Sequence, residues 1–217
     1  SPFPLSRFEG VSMRRIIPIA VAIAAMGSAS LVAQNMPPPP GKNDPAFITG
    51  GTYSVEPSHT QVLFSYDHMG ITPNMGLVAE PGSGALILNP KKPAEAKISV
   101  EFPVTNIRTG IPALDEHLMK PEFFDGAKFP TAKFESTAVK VNGTSAEING
   151  NLTIKGITKP IKLTATFVGV GANPMSKKET VGFSAVGDIK RSDFGLGYGV
   201  PMVGDMVNLK IAAAFEK

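Results

Sequence analysis

The sequence predicts an all-β fold: a single antiparallel eight-stranded barrel with a short helical lid inserted between two strands. Three observations carry this. From Gln61 to the end of the chain, apolar and polar residues alternate with a period of two. The alternating segments are separated by short turns, as at Asn142-Gly143 and Lys155-Gly156. The alternation has one long interruption, from Leu114 to Ser136.

The segments follow in order. Val62, Phe64, Tyr66 and His68 share one face and Leu63, Ser65 and Asp67 the other. Met75 to Asn89 reads as a strand pair or one bent strand, with Pro81-Gly82-Ser83-Gly84 at the bend. Ala96, Ile98, Val100, Phe102 and Val104 share a face. Beyond the interruption, Ala132, Phe134, Ser136 and Ala138 oppose Lys133, Glu135 and Thr137. Ala146, Ile148, Gly150, Leu152 and Ile154 follow, then Ile161, Leu163, Ala165 and Phe167, then Val181, Phe183 and Ala185. Val207 to Phe215 closes the pattern. These eight or nine strands, each with one polar face, form an antiparallel sheet wetted on one side. Meander order favours closure, which removes exposed edges. An eight-stranded antiparallel barrel is just wide enough to hold one small ligand.

Within the interruption, Leu114 to Met119 lacks strand alternation and reads as a short helix, stopped by Pro121. Phe123-Phe124 then places two large rings in a polar connection. Leaving each exposed forfeits roughly 1.5–3 kcal/mol, so the pair requires a burial site. A helix-and-aromatic plug between two strands sits where a lid would.

Upstream, Met13-Arg14-Arg15, the apolar run Ile16 to Met26 and the small residues up to Ala33 match a secretory signal peptide. The run is short of the roughly 20 apolar residues of a spanning helix. The expected organisation is therefore an upstream extension at 1–12, a signal peptide at 13–33, a Pro-rich linker at 34–49 and the barrel at 50–217. Three of the 21 basic residues and one of the 18 acidic residues lie in residues 1–29, so the remainder is nearly neutral. It carries no basic stripe of the kind nucleic acid requires. The chain has no cysteine, hence no disulfide and no acylation site of a bacterial lipoprotein. The expected product is a soluble periplasmic protein without a stable membrane anchor.

Inward positions mix small residues such as Ala132, Gly150, Ala165 and Ala213 with Phe64, Phe102, Phe134, Phe167, Phe183 and Phe215. This is the interdigitation of a packed core, or it is a tunnel walled by aromatics. Composition does not choose between them. For catalysis little is present. Gly82-Ser83-Gly84 lacks the strand–turn–helix context of a nucleophile elbow. Gly195 to Gly199 has no Lys-Ser/Thr after it to hold phosphate. His59, His68 and His117 are the only histidines, and Asp115 and His117 are spaced so that they diverge on a helix. No metal site is expected. These groups instead hydrogen-bond at the barrel mouth or to a ligand head group, or Asp115 ties down the lid. Arg191 and Asp193 pair with each other or clamp a turn.

Several motifs resemble the YceI-like family. They are Tyr53-Ser54-Val55-Glu56 with Ser58-His59-Thr60, then His68, then Asp115, His117, Leu118, Phe123, Phe124, Asp125, Phe129, Pro130, Phe134 and Ser136. Gly150 to Pro160 and Arg191-Ser192-Asp193-Phe194-Gly195 complete the set. The resemblance covers nearly all of residues 51–217. It implies an extended lipocalin-like barrel that encloses a long isoprenoid chain in an apolar tunnel. The chain has no Trp, so the Gly-x-Trp strand start of true lipocalins is absent. Two positions depart from the family pattern: Gly76-Leu77-Val78 replaces Gly-x-Phe, and Leu114 replaces a basic or polar residue.

The expected function is thus a periplasmic binding or carrier protein for a polyisoprenoid, an isoprenoid quinone or a fatty-chain lipid. The expected ligand-binding residues are Phe64, Tyr66, Phe102, Asp115, His117, Phe123, Phe124, Phe134, Ile148, Leu163, Phe183 and Phe194. No catalytic residue and no cofactor beyond a bound isoprenoid or fatty lipid are expected. The expected partners are that apolar lipid and, at most, a second copy of the chain in a homodimer. The alternatives are a small secreted enzyme using Asp115 and His117 as acid and base, and a stress-related surface domain with a packed core.

Overall fold

A computed structural model describes residues 38–217. The expected upstream extension, the signal peptide and the start of the linker lie outside the described residues.

Eleven strand segments build the sheet: β1 (Gly51–Val55), β2 (Gln61–His68), β3 (Thr72–Ala79), β4 (Ser83–Leu88), β5 (Lys97–Pro103), β6 (Ile107–Arg108), β7 (Thr131–Asn142), β8 (Ser145–Ile154), β9 (Ile157–Ala172), β10 (Glu179–Lys190) and β11 (Val203–Glu216). All pairings are antiparallel. The excess over eight has a simple cause. β1 and β2 both pair with β11 and are one strand broken by the turn Pro57–His59. β3 and β4 are one strand bent near Glu80, which takes a φ of 55°. β5 and β6 are divided by the turn Val104–Asn106. Three broken strands and five continuous ones make eight in meander order, and the last pairs with the first. The barrel is closed.

The alternation sends the apolar face of the strands inward, broken by a bulge on β9 between Phe167 and Gly169 and, against expectation, by one on β7. A β-bulge falls between Ser136 and Ala138 on β7. The extra residue flips the face. Ala138, expected inside, is exposed, while Val139 and Val141 face the interior. The Ser136 hydroxyl accepts the Ile98 backbone N–H at 2.8 Å across this irregularity.

Helix α1 (Pro112–Leu118) occupies the interruption. It begins at a proline, whose missing N–H is no loss in the first turn. Asp115 accepts from the Thr109 backbone N–H and hydroxyl, both at 2.7 Å, and ties the helix to the end of β6. Phe123 and Phe124 turn back onto a cluster centred on Val104, Ile107 and Leu118. Lys155, in the β8–β9 turn, donates to the Pro121 carbonyl at 2.7 Å and holds the lid from the other side.

The opposite end is closed by residues expected to be linker. Lys42 bridges to Val170 through two backbone hydrogen bonds, and Ile48 packs into the core beside Tyr53, Leu86 and Phe215. The compact unit spans Pro40 to Lys217. Beneath it Tyr53 is wholly buried. Its hydroxyl donates to Glu179 at 2.7 Å and accepts from the Gly50 N–H at 3.0 Å. Thr49 donates to the same carboxylate through backbone and hydroxyl, and Lys217 donates to the Gly50 carbonyl. No helix among the described residues is long and apolar enough to cross a membrane.

Candidate functional site

The barrel is hollow. A cavity of about 620 Å³ runs between the lid end and the end covered by Pro45 and Ile48. Along β11 the wall takes Val203, then Val207, Leu209, Ile211, Ala213 and Phe215. At ~3.3 Å per residue this stretch spans roughly 40 Å of strand. The cavity is therefore a tunnel, not a pocket at one rim.

The wall explains why it is open. Phe64 and Phe134 do not point at the axis. Their rings lie over Gly76 and Gly150 on the neighbouring strands, where a β-carbon would collide with them. Rings folded flat on the wall contribute apolar surface while leaving the centre clear. Phe167 and Phe183 pack edge to face, 5.9 Å between centroids. Phe102, Ile148 and Leu163 fill the wall between them, and Phe123 and Phe124 cover the lid end.

Polar groups gather at that lid end. Tyr66, His68, Asn74, Arg191 and Tyr198 line it, with His68 Nδ1 3.3 Å from the Asn74 amide nitrogen. Arg191 is buried. It donates to the Gly204 carbonyl at 2.8 Å, Val203 at 2.7 Å, Tyr198 at 2.9 Å and to Leu196. Burial pushes its pKa down, and the Asp205 charge works against that. Asp205 accepts from the Ser192 N–H and hydroxyl at 2.8 and 2.7 Å. Arg191 thus clamps the β10–β11 loop, and its charge partner is Asp205, not Asp193. On the tunnel wall the buried Thr60 hydroxyl pairs with the Ala214 backbone. No buried side-chain nitrogen or oxygen among the described residues lacks a partner.

Of the twelve residues expected at the site, nine line the tunnel: Phe64, Tyr66, Phe102, Phe123, Phe124, Phe134, Ile148, Leu163 and Phe183. Three do not. Asp115 is spent on Thr109, as above. His117 is half-exposed, 3.0 Å from Glu122 through Nε2 and edge-on to Phe123. Its ring packs behind the tunnel-lining rings of Phe123 and Tyr198, and helix α1 buries Leu118. Phe194 is buried in the turn Arg191–Phe194, behind the wall, against Ile154 and Leu196. Asp115 and His117 therefore do not meet as an acid–base pair facing the cavity. No group of three or more His, Asp or Glu among the described residues is placed to hold a metal ion.

Sequence reasoning missed Tyr198, Asn74 and Tyr53. Tyr198 carried a weak signal as the one aromatic in a Gly-rich loop; Asn74 is set by its pairing with Tyr66 across the β2–β3 hairpin, and Tyr53 by its bond to the distant Glu179.

Residues 53–215 match the YceI-like domain. Protein YceI of Escherichia coli O157:H7 is 36% identical over 141 residues, covering 65% of this chain and 73% of that protein. The crystal structure of Burkholderia cenocepacia BcnA superposes with a TM-score of 0.65 at 25% identity, covering 74% of this chain and 98% of BcnA. A polyisoprenoid binding domain from Saccharophagus degradans shares the fold with a TM-score of 0.59 at 14% identity, over 76% of this chain and 97% of that one. With the barrel, the lid and the matched residues together, the chain belongs to the YceI-like family.

Proposed function

We propose that the protein is a periplasmic binding protein that sequesters one long apolar ligand in the tunnel. The ligand is a polyisoprenoid, an isoprenoid quinone or a fatty-chain lipid. The carrying observation is the size and apolar lining of the cavity. An unfilled apolar void is unfavourable by roughly 24 cal/mol per Å³. Water is a poor filler, because apolar walls offer it no hydrogen bonds. A flexible hydrocarbon chain removes the penalty. The polar cluster of Tyr66, His68 and Asn74 suits a ligand whose one end is polar.

The Saccharophagus degradans domain of the same fold is described as polyisoprenoid binding, which fits this ligand class. The leader motif at Met13-Arg14-Arg15 supports export. A carrier is favoured over a catalyst because Asp115 and His117 are engaged elsewhere. Solvent extraction of the purified protein followed by mass spectrometry tests the reading. About one long-chain lipid per chain, intact after incubation, is expected. A protein that retains no such lipid and is not stabilised by any added one overturns it. Conversion of the lipid, abolished by His117→Ala, would establish the enzyme instead.

A further inference from the structure

We infer that the lid end of the barrel is a bilayer-docking surface through which the tunnel loads and unloads. The inference rests on the proposed lipid cargo. Two loops at this end each present one face to the tunnel and another to solvent. The β2–β3 hairpin gives His68 and Asn74 to the tunnel wall, and it leaves Met69 51% and Ile71 82% exposed at its tip. The β10–β11 loop gives Gly199 and Val203 to the wall, and it leaves Val200 and Met202 in solvent, Met202 at 59%. The two tips are joined: the Met69 N–H donates to the Met202 carbonyl at 2.8 Å. Tyr198 belongs to both faces. It lines the tunnel yet is 61% exposed, and it stacks edge-on with the lid residue Phe123 at 5.4 Å.

Ile71, Met202, Met69 and Val200 thus form an exposed apolar knuckle directly over the tunnel end. Such a patch marks a contact with a protein or a membrane. The tunnel decides which. Its cargo is a long hydrocarbon whose stable home is a bilayer, and every methylene exposed to water in transit is unfavourable. A mouth pressed into the lipid surface lets the chain slide without crossing water. Tyr198, apolar in body and polar at its tip, suits that interface. Charge plays little part, since neither tip, Met69-Gly70-Ile71 or Val200-Pro201-Met202, carries a charged side chain. Docking is therefore apolar and insensitive to salt.

The test uses the intact protein and phosphatidylcholine vesicles in a flotation assay. The chain has no Trp, so Ile71→Trp provides a unique reporter. Its emission should shift to the blue on adding vesicles, at low and at high salt alike. Ile71→Asp with Met202→Asp should lower the floated fraction at least tenfold and slow lipid transfer from the vesicles to a similar degree, with the melting temperature of the lipid-free protein unchanged. Met175→Asp, in the β9–β10 turn at the opposite end and 90% exposed in the parent, should float like the parent. No flotation of the parent, or equal loss in Met175→Asp, overturns the docking surface. So does a concentration-dependent dimer in sedimentation that Ile71→Asp with Met202→Asp abolishes while flotation persists, which would make the knuckle a contact between copies. Lipid content is read in the same preparations. An empty parent protein is a failure of the cargo assignment, whereas a loaded parent that ignores vesicles is a failure of docking alone.

Discussion

The ring of Phe64 on β2 lies across Gly76, its partner on β3, so closely that a β-carbon there would fall 2.7 Å from Cε1 and 2.8 Å from Cε2. Phe134 covers Gly150 in the same way three strands further round the barrel. Each glycine lets a ring rest on the wall. A side chain at either position would push the ring towards the axis and into the tunnel.

Gly76→Ala should therefore do two things. Overpacking should destabilise the barrel by about 1–3 kcal/mol. It should also shorten the longest chain the protein retains, read by mass spectrometry of copurified lipid. Gly182→Ala is the control, because a β-carbon there meets nothing nearer than 3.8 Å. It should change stability by no more than about 0.5 kcal/mol. Equal behaviour of the two variants would mean that the rings are free to repack.

The bulge on β7 makes a prediction opposite to plain alternation. Val139 faces the tunnel and Ala138 is exposed. Val139→Asp should cost several kcal/mol through an unpaired buried charge, and Ala138→Asp should be nearly neutral. Upstream of the bulge the order is the ordinary one, with Phe134→Asp severe and Glu135→Ala mild. Urea denaturation of the four variants measures all of this. A severe Ala138→Asp would place the bulge elsewhere.

These two cases mark where the sequence is legible and where it is not. Period-two alternation identified the inward face of β2, β5, β8, β9 and β11 residue by residue, because burial and pleat have the same period. It failed beyond Ser136, since a bulge is fixed by pairing with another strand and leaves no local mark. It could not choose between hollow and full, because that depends on whether Phe64 and Phe134 lie along the wall or across it. Only the cross-strand partners Gly76 and Gly150 decide it. Asp115 and His117 were drawn into the site by their chemistry. Neither spacing nor residue type reveals that Asp115 is taken by Thr109 six residues earlier. Residues 40–49 read as solvated linker because Pro and Gly suggest it, and their docking on β9 is a long-range contact.

The Tyr53–Glu179 pair predicts a stability profile with two limbs. Burial first, then the hydrogen bond to Glu179, pushes the Tyr53 hydroxyl up to about 12, against about 10 in an unfolded chain. The folded state keeps this proton longer. Its contribution is complete below pH ~10 and is lost as pH rises towards the folded value. About 2–3 kcal/mol of stability should disappear over that window. For Glu179 burial acts upward, but hydrogen bonds from Thr49 and Tyr53 and the Lys217 charge outweigh it and hold the carboxyl below its usual range. That contribution is present above the ordinary carboxylate pKa and is lost as pH falls through the lowered value. Tyr53→Phe should flatten the alkaline limb and reduce stability at neutral pH by about 1 kcal/mol or more. An unchanged alkaline limb in Tyr53→Phe would assign it to other groups.

The lid gives the sharpest separation of stability from function. Phe123 and Phe124 both line the tunnel and both pack on Leu118 and its neighbours. Helix α1, at seven residues, is too short to persist without that support. Truncating both rings to Ala should cost about 3–5 kcal/mol for each ring that is fully packed, and less where it is part-exposed. Lost stability alone would not distinguish a lid from a core. Adding ligand does. A lipid that binds the folded state raises the melting temperature in proportion to its affinity for that state. The parent should gain strongly from an added long-chain isoprenoid. The double variant should start lower and gain much less, because its tunnel stays open at the lid end and the bound chain remains in contact with water. His117→Ala, which removes a half-exposed ring outside the tunnel, should gain as the parent does. Were the double variant to gain as much as the parent, the two rings would be core residues only, and closure of the tunnel would rest on the β10–β11 loop held by Arg191.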